Sequence, residues 1–426
     1  MKIALLSTNF DLGGAAIVTR RLTDALRDAG HDARMIVARP GNASPDDRSV
    51  ICIEKSKWHR PFITERAELW LKGVKRRDVF KVSTGRYGVG LENHPFVAEA
   101  DAIFVNWASQ GFLSLDSLEK ILAFDKPVVY TMHDLWPATS LCHLPGDCNH
   151  YADGSDCAIC PYFKGKKGQK GATLRKEIIE SKRRIFTNDN LRLVAVSNWQ
   201  RAKAQNSSIL CNKEISVIPH PFPIDLYQPG VKTDAEGKRL IVMAAARLDD
   251  PIKDLPAAVD TLNTFAWEYP ADAEGVEVAF VGALNDTSEL KRLRLPYKHL
   301  GLLAPDQLRE LYARATVVIS SSKYETMGAT LMEGMAAGAI PVTYGDAGQT
   351  DIVTDAENGF IAPSHTPASL AFALSLAFQT ARAIDATTSS HDAFNEPFSP
   401  VFLHKEVARR FAPSSIAERY LSLITK

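Results

Sequence analysis

The chain has 426 residues, 45% hydrophobic and 23% charged, with 50 Lys and Arg balanced by 50 Asp and Glu, the composition of a globular protein of two or three domains. A formal charge of zero supplies no global field to draw it to nucleic acid, and no nucleic-acid partner is expected. The start, MKIALLSTNF, lacks a signal peptide's cleavage pattern, and no apolar run approaches the ~20 residues that span a bilayer. A cytoplasmic chain with reduced or metal-bound cysteines is therefore the expectation.

In chain order, KIALLS reads as a buried strand, Gly13-Gly14 as a loop that lets backbone approach a ligand, and 14–29 as a helix leading into the strand ARMIVA. The loop lacks G-x-G-x-x-G, which argues against a nicotinamide dinucleotide, and a plain tight turn is its simpler reading. Residues 56–77 place Ile63, Ala67, Trp70 and Val74 on one helical face among Arg66, Lys72, Lys75, Arg76 and Arg77. Such a helix either packs on the amino-terminal domain with a solvated back or lies on an anionic membrane surface. AIFVNW and PVVYTM are the next strands, and His133 and Asp134 follow the second of them. There a His donates to a sugar hydroxyl or phosphate and an Asp orients an acceptor hydroxyl; the alternative is a pair that closes a strand-end turn.

Cys142, Cys148, Cys157 and Cys160 then fall within nineteen residues, and Cys157-x2-Cys160 has the spacing of a metal-binding knuckle. A structural zinc, free thiols and disulfides are the three readings, with His143 and His150 as neighbours or substitutes. Cys52 and Cys211 read as packing residues. The Gly- and Lys-rich run from Lys164 reads as a mobile loop. RLVAVS and ISVIP complete the first half, and the proline-rich stretch 218–238 is the linker.

The second half repeats the rhythm with RLIVMAAA, VEVAFVG, TVVISS and IPVTYG. Apolar strands separated by helical patterns imply parallel sheets covered on both faces. Two doubly wound Rossmann-like domains, 1–222 and 223–400, are expected to face one another across a cleft, where such sheets bind ligands. Arg247 and Lys253 lie in the loop after one strand; Glu325, Thr326, Met327 and Gly328 lie after another, with Glu333 in the following helix. Uncapped amides at that helix start suit a diphosphate, the two cations suit the same phosphates, and the two carboxylates suit sugar and ribose hydroxyls. Chance surface placement is the plain alternative for each of them.

Taken together, the Gly13-Gly14 loop, His133-Asp134, VIPHPFPIDLYQP, ARLDDPIKD, the E-x7-E pair with MAAGAIPV, GQTDIV and NGFIAP resemble glycosyltransferase family 4, the retaining GT-B enzymes. The resemblance covers nearly the whole chain. It implies metal-independent transfer of a sugar from a nucleotide-diphosphate sugar to a glycan or lipid-linked glycan, with no catalytic metal. Capsule and exopolysaccharide members carry similar cysteine segments, which points to cell-surface polysaccharide synthesis, and a lipid-linked acceptor would reconcile the basic stretches 56–77 and from Lys164 with a peripheral contact at the inner membrane face. By the same resemblance Glu325 holds donor-sugar hydroxyls, Glu333 the ribose, Arg247 and Lys253 the diphosphate, amides near Met327 and Gly328 the sugar or phosphate, and the last helix, 401–426, crosses back to the amino-terminal domain. His220-Pro221 stands where many members have Asn-Gly, and Thr326-Met327-Gly328 where they have Gly-Phe-Gly, so the donor stays open. Two other classes are compatible with parts of the sequence: a zinc-dependent nucleic-acid module, which the neutral charge argues against, and a catalytically silent nucleotide-sugar-binding or scaffold protein.

Overall fold

The computed structural model describes residues 1–165, 169–233, 236–387 and 396–425. It falls into two compact units, Met1–Pro221 with Pro413–Lys426, and Phe222–Ala412. The first unit contains strands β1 (Lys2–Asn9), β2 (Asp32–Arg39), β3 (Val50–Cys52), β4 (Ala102–Val105), β5 (Val128–Met132), β6 (Leu191–Ala195) and β7 (Ile215–Val217). Between them run helices α1 (Gly14–Asp28), α2 (Lys55–Leu71), α3 (Pro95–Glu99), α4 (Leu115–Leu122), α5 (Ala172–Phe186) and α6 (Asn198–Gln205). The strands are parallel and ordered β3-β2-β1-β4-β5-β6-β7.

Composition explains the layering. Every residue of β1 after Lys2 is buried, as a strand covered on both faces requires. Helix α1 turns Leu22, Ala25 and Leu26 inward, where they meet Ile3, Leu5, Met35 and Phe104 in one cluster. Truncating Leu22 or Leu26 to Ala there should cost about 2–5 kcal/mol.

The second unit contains β8 (Arg239–Arg247), α7 (Leu255–Glu268), α8 (Pro270–Ala273), β9 (Val276–Ala283), β10 (Tyr297–His299), α9 (Pro305–Arg314), β11 (Val317–Ser320), α10 (Ala329–Ala336), β12 (Ile340–Tyr344), β13 (Phe360–Ala362), α11 (Pro367–Thr387) and α12 (Pro400–Phe411). Its parallel sheet is ordered β10-β9-β8-β11-β12-β13. In both sheets the order reverses once, between β1 and β4 and between β8 and β11, and the crevice beyond the carboxyl ends of such strands is where doubly wound sheets bind ligands.

Several expectations change. Of the four three-residue edge strands, β7 lies in the apolar run ISVIP, whereas β3, β10 and β13 escape the sequence pattern, having too few residues to show a period. SPVFLHKEVARRFAPSSIAERYLSLITK forms the two helices its pattern implies, but they divide: α12 belongs to the second unit, and only α13 (Pro413–Ser422) joins the first, where the Tyr420 hydroxyl lies 3.0 Å from that of Thr131. Helix α2 exposes Ile63, Ala67 and Trp70 and instead buries Trp58, Glu65 and Leu69. Lys164 and Lys170 do not hang in a free loop: the Lys164 amide donates to Gly73 O (2.7 Å), and Phe163 bridges Val74. Residues 166–168 of that run lie outside the described residues. No described helix is long and apolar enough to cross a membrane.

Candidate functional site

Because β11 pairs with β8, through Val317 with Ile241 and Val318 with Val242, the loops that leave their carboxyl ends are neighbours. Three bonds stitch those loops together: Ser321 Oγ to Lys253 O (2.7 Å), Lys323 N to Ile252 O (2.8 Å) and Lys323 Nζ to Asp254 (2.8 Å). Asp254 takes a left-handed conformation to start α7. The stitched loops bring Lys253 against Glu325 as an ion pair, both side chains mostly covered. Arg247, at the end of β8, is forked onto Asp249 at 3.0 and 3.1 Å, and Asp249 also accepts from Asn285 Nδ2 (2.8 Å). Each cation is therefore held by a carboxylate.

Gly348, in the loop after β12, fixes the Glu325 loop from behind. Its amide donates to Glu325 O (2.8 Å), and a Cβ at this position would stand 2.0 Å from Thr326 O, so the two backbones touch only because the residue is glycine. Met327 is buried, and Gly328 at φ 93° begins α10 with no side chain capping it. The first amides of α10 therefore have no side-chain cap to displace, and the helix dipole favours an anion there. Glu333 lies one turn into α10 beside the buried Tyr312, whose phenol is pushed well above its ordinary value by burial and by the Glu333 charge. Lys253, Glu325 and the 326–328 backbone thus stand on neighbouring loops at the carboxyl ends of β8 and β11, with Glu333 in the helix that follows and Arg247, at the end of β8, turned to Asp249.

In the first unit Gly13-Gly14, Asn106 and His133 follow β1, β4 and β5, three adjacent strands. Gly13, at φ 90°, holds a backbone conformation that other residues resist. His133 Nε2 lies 3.1 Å from Asn106 Oδ1, and its ring stacks on that of His220 at 5.5 Å. Burial pushes His133 down to about 4, while the Asp134 charge works the other way, so the ring is neutral at physiological pH. With Nε2–H donating to Asn106, buried Nδ1 offers a lone pair with no hydrogen-bond partner among the described residues. Asp134 is engaged instead: Oδ1 accepts from Trp136 N (2.8 Å), and Oδ2 from Trp107 Nε1 (2.8 Å) and His143 Nδ1 (2.7 Å). Burial raises its carboxyl, but the His143 contact and these hydrogen bonds leave it below the ordinary value. This geometry orients the turn that carries His133.

His143 is thereby removed from the metal-ligand candidates, since its Nε2 faces Ser83 Oγ (3.0 Å), and His150 faces Asp153 (2.8 Å). Cys142, Cys157 and Cys160 are buried, Cys148 is half-buried, and all are free thiols. Burial and the neighbouring cysteines push the Cys142 thiol up. Among the described residues no group of three or more His, Cys, Asp or Glu stands so as to hold a metal ion, and the zinc expectation gains no support from the geometry. Two buried cations of α5 hold the segment in place. Lys182 Nζ donates to Trp136 O (2.5 Å) and Thr139 O (3.0 Å), while Arg175 donates to Cys157 O and Ala158 O (both 2.6 Å). Cys52 and Cys211 lie exposed, so they are not packing residues.

Sequence reading missed Asn106, Trp107, Asp249 and Asn285. Asn106 and Trp107 end an apolar run, and a polar residue at a strand's carboxyl end in a doubly wound sheet is the signal that marks them. Nothing local distinguishes Asp249 or Asn285.

Residues 12–226 match the family model Glycosyltransferase Family 4, and residues 252–382 match Glycosyl transferases group 1. Over 178 residues, 38% of the chain, it is 29% identical to a D-inositol 3-phosphate glycosyltransferase of Acidothermus cellulolyticus, and the match spans 39% of that protein's length. Its structure is similar to Anabaena Alr3699/HepE in complex with UDP and glucose (16% identity, 100% of both chains, TM-score 0.57). It is also similar to sucrose-phosphate synthase from Thermosynechococcus elongatus (17% identity, 99% of this chain and 97% of that one, TM-score 0.61). These two likenesses show a shared fold.

Proposed function

The chain belongs to glycosyltransferase family 4 and has the GT-B fold, and from that premise we propose that it is a retaining glycosyltransferase. It moves a sugar from a nucleotide-diphosphate sugar to a glycan or lipid-linked glycan acceptor in cell-surface polysaccharide synthesis. The observation that supports the reading is the Lys253–Glu325 pair on the neighbouring loops after β8 and β11, beside the uncapped start of α10, with Arg247 at the end of β8.

In this reading the second unit binds the donor and the first the acceptor. Breaking the bond between sugar and phosphate builds positive charge on the sugar and negative charge on the leaving diphosphate. Arg247, Lys253 and the α10 amides stabilise that diphosphate, and one such contact is worth about 3 to 4 kcal/mol in comparable oxyanion sites. Glu325 and Glu333 accept hydrogen bonds from the sugar and ribose hydroxyls. His133, neutral with a free lone pair on Nδ1, accepts from a hydroxyl of the bound sugars, and Asp134 holds its turn. Transfer is front-face: the acceptor oxygen bonds to the anomeric carbon on the side from which the phosphate departs, and the leaving phosphate oxygen takes the acceptor's proton. No catalytic metal enters this scheme. For the cysteine segment, a structural zinc rests on the Cys157-x2-Cys160 spacing alone, and less than a tenth of an equivalent of zinc in the purified protein would end it.

The test is hydrolysis and transfer across a panel of nucleotide sugars, with product stereochemistry read by NMR. A product of retained configuration is expected. An inverted product would reject front-face transfer, and binding without turnover of any donor would leave the silent-binding alternative in its place.

A further inference from the structure

His143 follows β5 in the stretch that carries the cysteines, and the fold returns it to the turn that His133 begins. Two backbone bonds bring it back: Leu135 N donates to His143 O (2.9 Å) and His143 N to Lys81 O (3.1 Å). Its ring then closes a circuit with Asp134, Trp136 and Ser83, all of them buried. His143 Nδ1 meets Asp134 Oδ2 at 2.7 Å, Trp136 N donates to Asp134 Oδ1 (2.8 Å), Trp136 Nε1 donates to Ser83 O (2.8 Å), and Ser83 Oγ lies 3.0 Å from His143 Nε2. A carboxylate only accepts, so Nδ1 of His143 carries a proton. Both nitrogens of the ring are thereby engaged within the protein, and neither is left to touch a substrate.

The circuit reaches His133 through the ends of β4 and β5. There Asn106-Trp107 and His133-Asp134 are joined twice, by His133 Nε2 with Asn106 Oδ1 (3.1 Å) and by Trp107 Nε1 donating to Asp134 Oδ2 (2.8 Å). Trp107 O in turn accepts from Thr8 N of β1 (2.9 Å), and the Trp107 ring lies against that of His143 at 5.4 Å. Asp134 thus ties together the His133 turn, the loop after β4 and the cysteine-bearing stretch. A buried network with every member satisfied fixes one arrangement, whereas the loss of a donor leaves a buried carboxylate short of a partner and lets it turn.

We propose that His143 is a positioning residue for glycosyl transfer: anchored on Ser83, it fixes Asp134 and so sets the His133 ring, with Nδ1 bare, where the sugar is contacted. The proposal rests on the reading of His133 as a sugar-contacting group. It gives the cysteine-bearing stretch a part in turnover through one imidazole.

The experiment compares full-length wild type with His143→Leu, His143→Asn and Ser83→Ala in steady-state transfer and in nitrogen NMR of the histidine rings. His143→Leu removes both ring nitrogens and should lower kcat about a hundredfold, the cost of misplacing a group by about 1 Å. The donor KM should not change, because in this reading the donor binds to the second unit. His143→Asn, whose amide stands where Nδ1–H stood, should recover most of the loss, and Ser83→Ala, which frees only the outer nitrogen, should fall between. In wild type the His133 ring should be a single Nε2–H tautomer, and in His143→Leu a mixture of the two. Wild-type kcat in His143→Leu, an unaltered His133 tautomer, or no recovery in His143→Asn overturns the proposal, as does a donor KM that rises in step with the fall in kcat. Should His143→Leu fail to fold, Ser83→Ala decides by the same kcat and tautomer readings. If wild type transfers sugar from no donor, the proposed function falls, and the tautomer comparison still decides whether His143 sets the His133 ring.

Discussion

Asp249→Asn should tighten nucleoside diphosphate binding, and by a bounded amount. In the absence of ligand Arg247 is forked onto Asp249, so a diphosphate must displace a carboxylate before it gains the guanidinium. The Arg247 side chain is 60% exposed, and ion pairs in that setting contribute about 0.2–1 kcal/mol after screening. Releasing Arg247 should therefore improve affinity by no more than about fivefold. Arg247→Ala removes the contact itself and should cost about a hundredfold or more in turnover. Isothermal titration with UDP and the other nucleoside diphosphates measures the first effect, and steady-state rates with the accepted donor measure the second. Weaker binding by Asp249→Asn would show that Asp249 supports the ligand, and unchanged turnover in Arg247→Ala would remove that cation from the chemistry. Absence of binding by wild type to every nucleoside diphosphate would instead overturn the donor site as a whole.

Four further outcomes are expected. His133→Ala should reduce transfer at least a hundredfold with the melting curve unchanged at neutral pH; intact turnover would exclude it from the site. Native His133 titrates near 4 and the unfolded chain near 6.5, so between those values the unfolded state binds the extra proton. Stability is then unaffected above about 6.5 and falls by about 3 kcal/mol as the pH drops to about 4; His133→Asn should flatten that slope in urea titrations, and an unaltered slope would refute the assignment. Glu65→Ala deletes a fully buried carboxylate that accepts from Thr84 N (2.6 Å), Gly85 N (3.2 Å) and Arg66 (2.5 Å), and should cost about 3–5 kcal/mol in chemical denaturation. Gly348→Ala puts a methyl 2.0 Å from Thr326 O. It should lower kcat about a hundredfold through the displaced Glu325 loop and cost about 1–3 kcal/mol of stability, because the clash is with backbone; a wild-type kcat would show that this loop tolerates movement.

Much of the architecture is legible in the chain because a parallel sheet buried on both faces writes itself as short apolar runs, and β1, β5, β8 and β12 each coincide with one. The glycine-bearing loop and the spacing of Glu325 and Glu333 likewise survive in one dimension, since a helix start and the turn inside it are local features. Which face of α2 is covered was not legible. Ile63, Ala67 and Trp70 have the spacing of a packing stripe, yet that stripe is exposed, because periodicity records which residues share a face and not whether another element arrives to cover it. Glu65 shows the converse, a carboxylate drawn inside because Thr84, Gly85 and Arg66 supply its hydrogen bonds from elsewhere.

From the sequence alone came the two parallel sheets with helices between their strands, a pattern set by each residue's neighbours along the chain. Tertiary structure alone decided that Lys253 meets Glu325, that Arg247 rests on Asp249, that His143 turns to Asp134 instead of joining the cysteines, and that two remote basic runs share a surface. Each of those is a contact between polar groups brought together by strand order, and a polar side chain carries no mark of the partner that desolvation will require it to find.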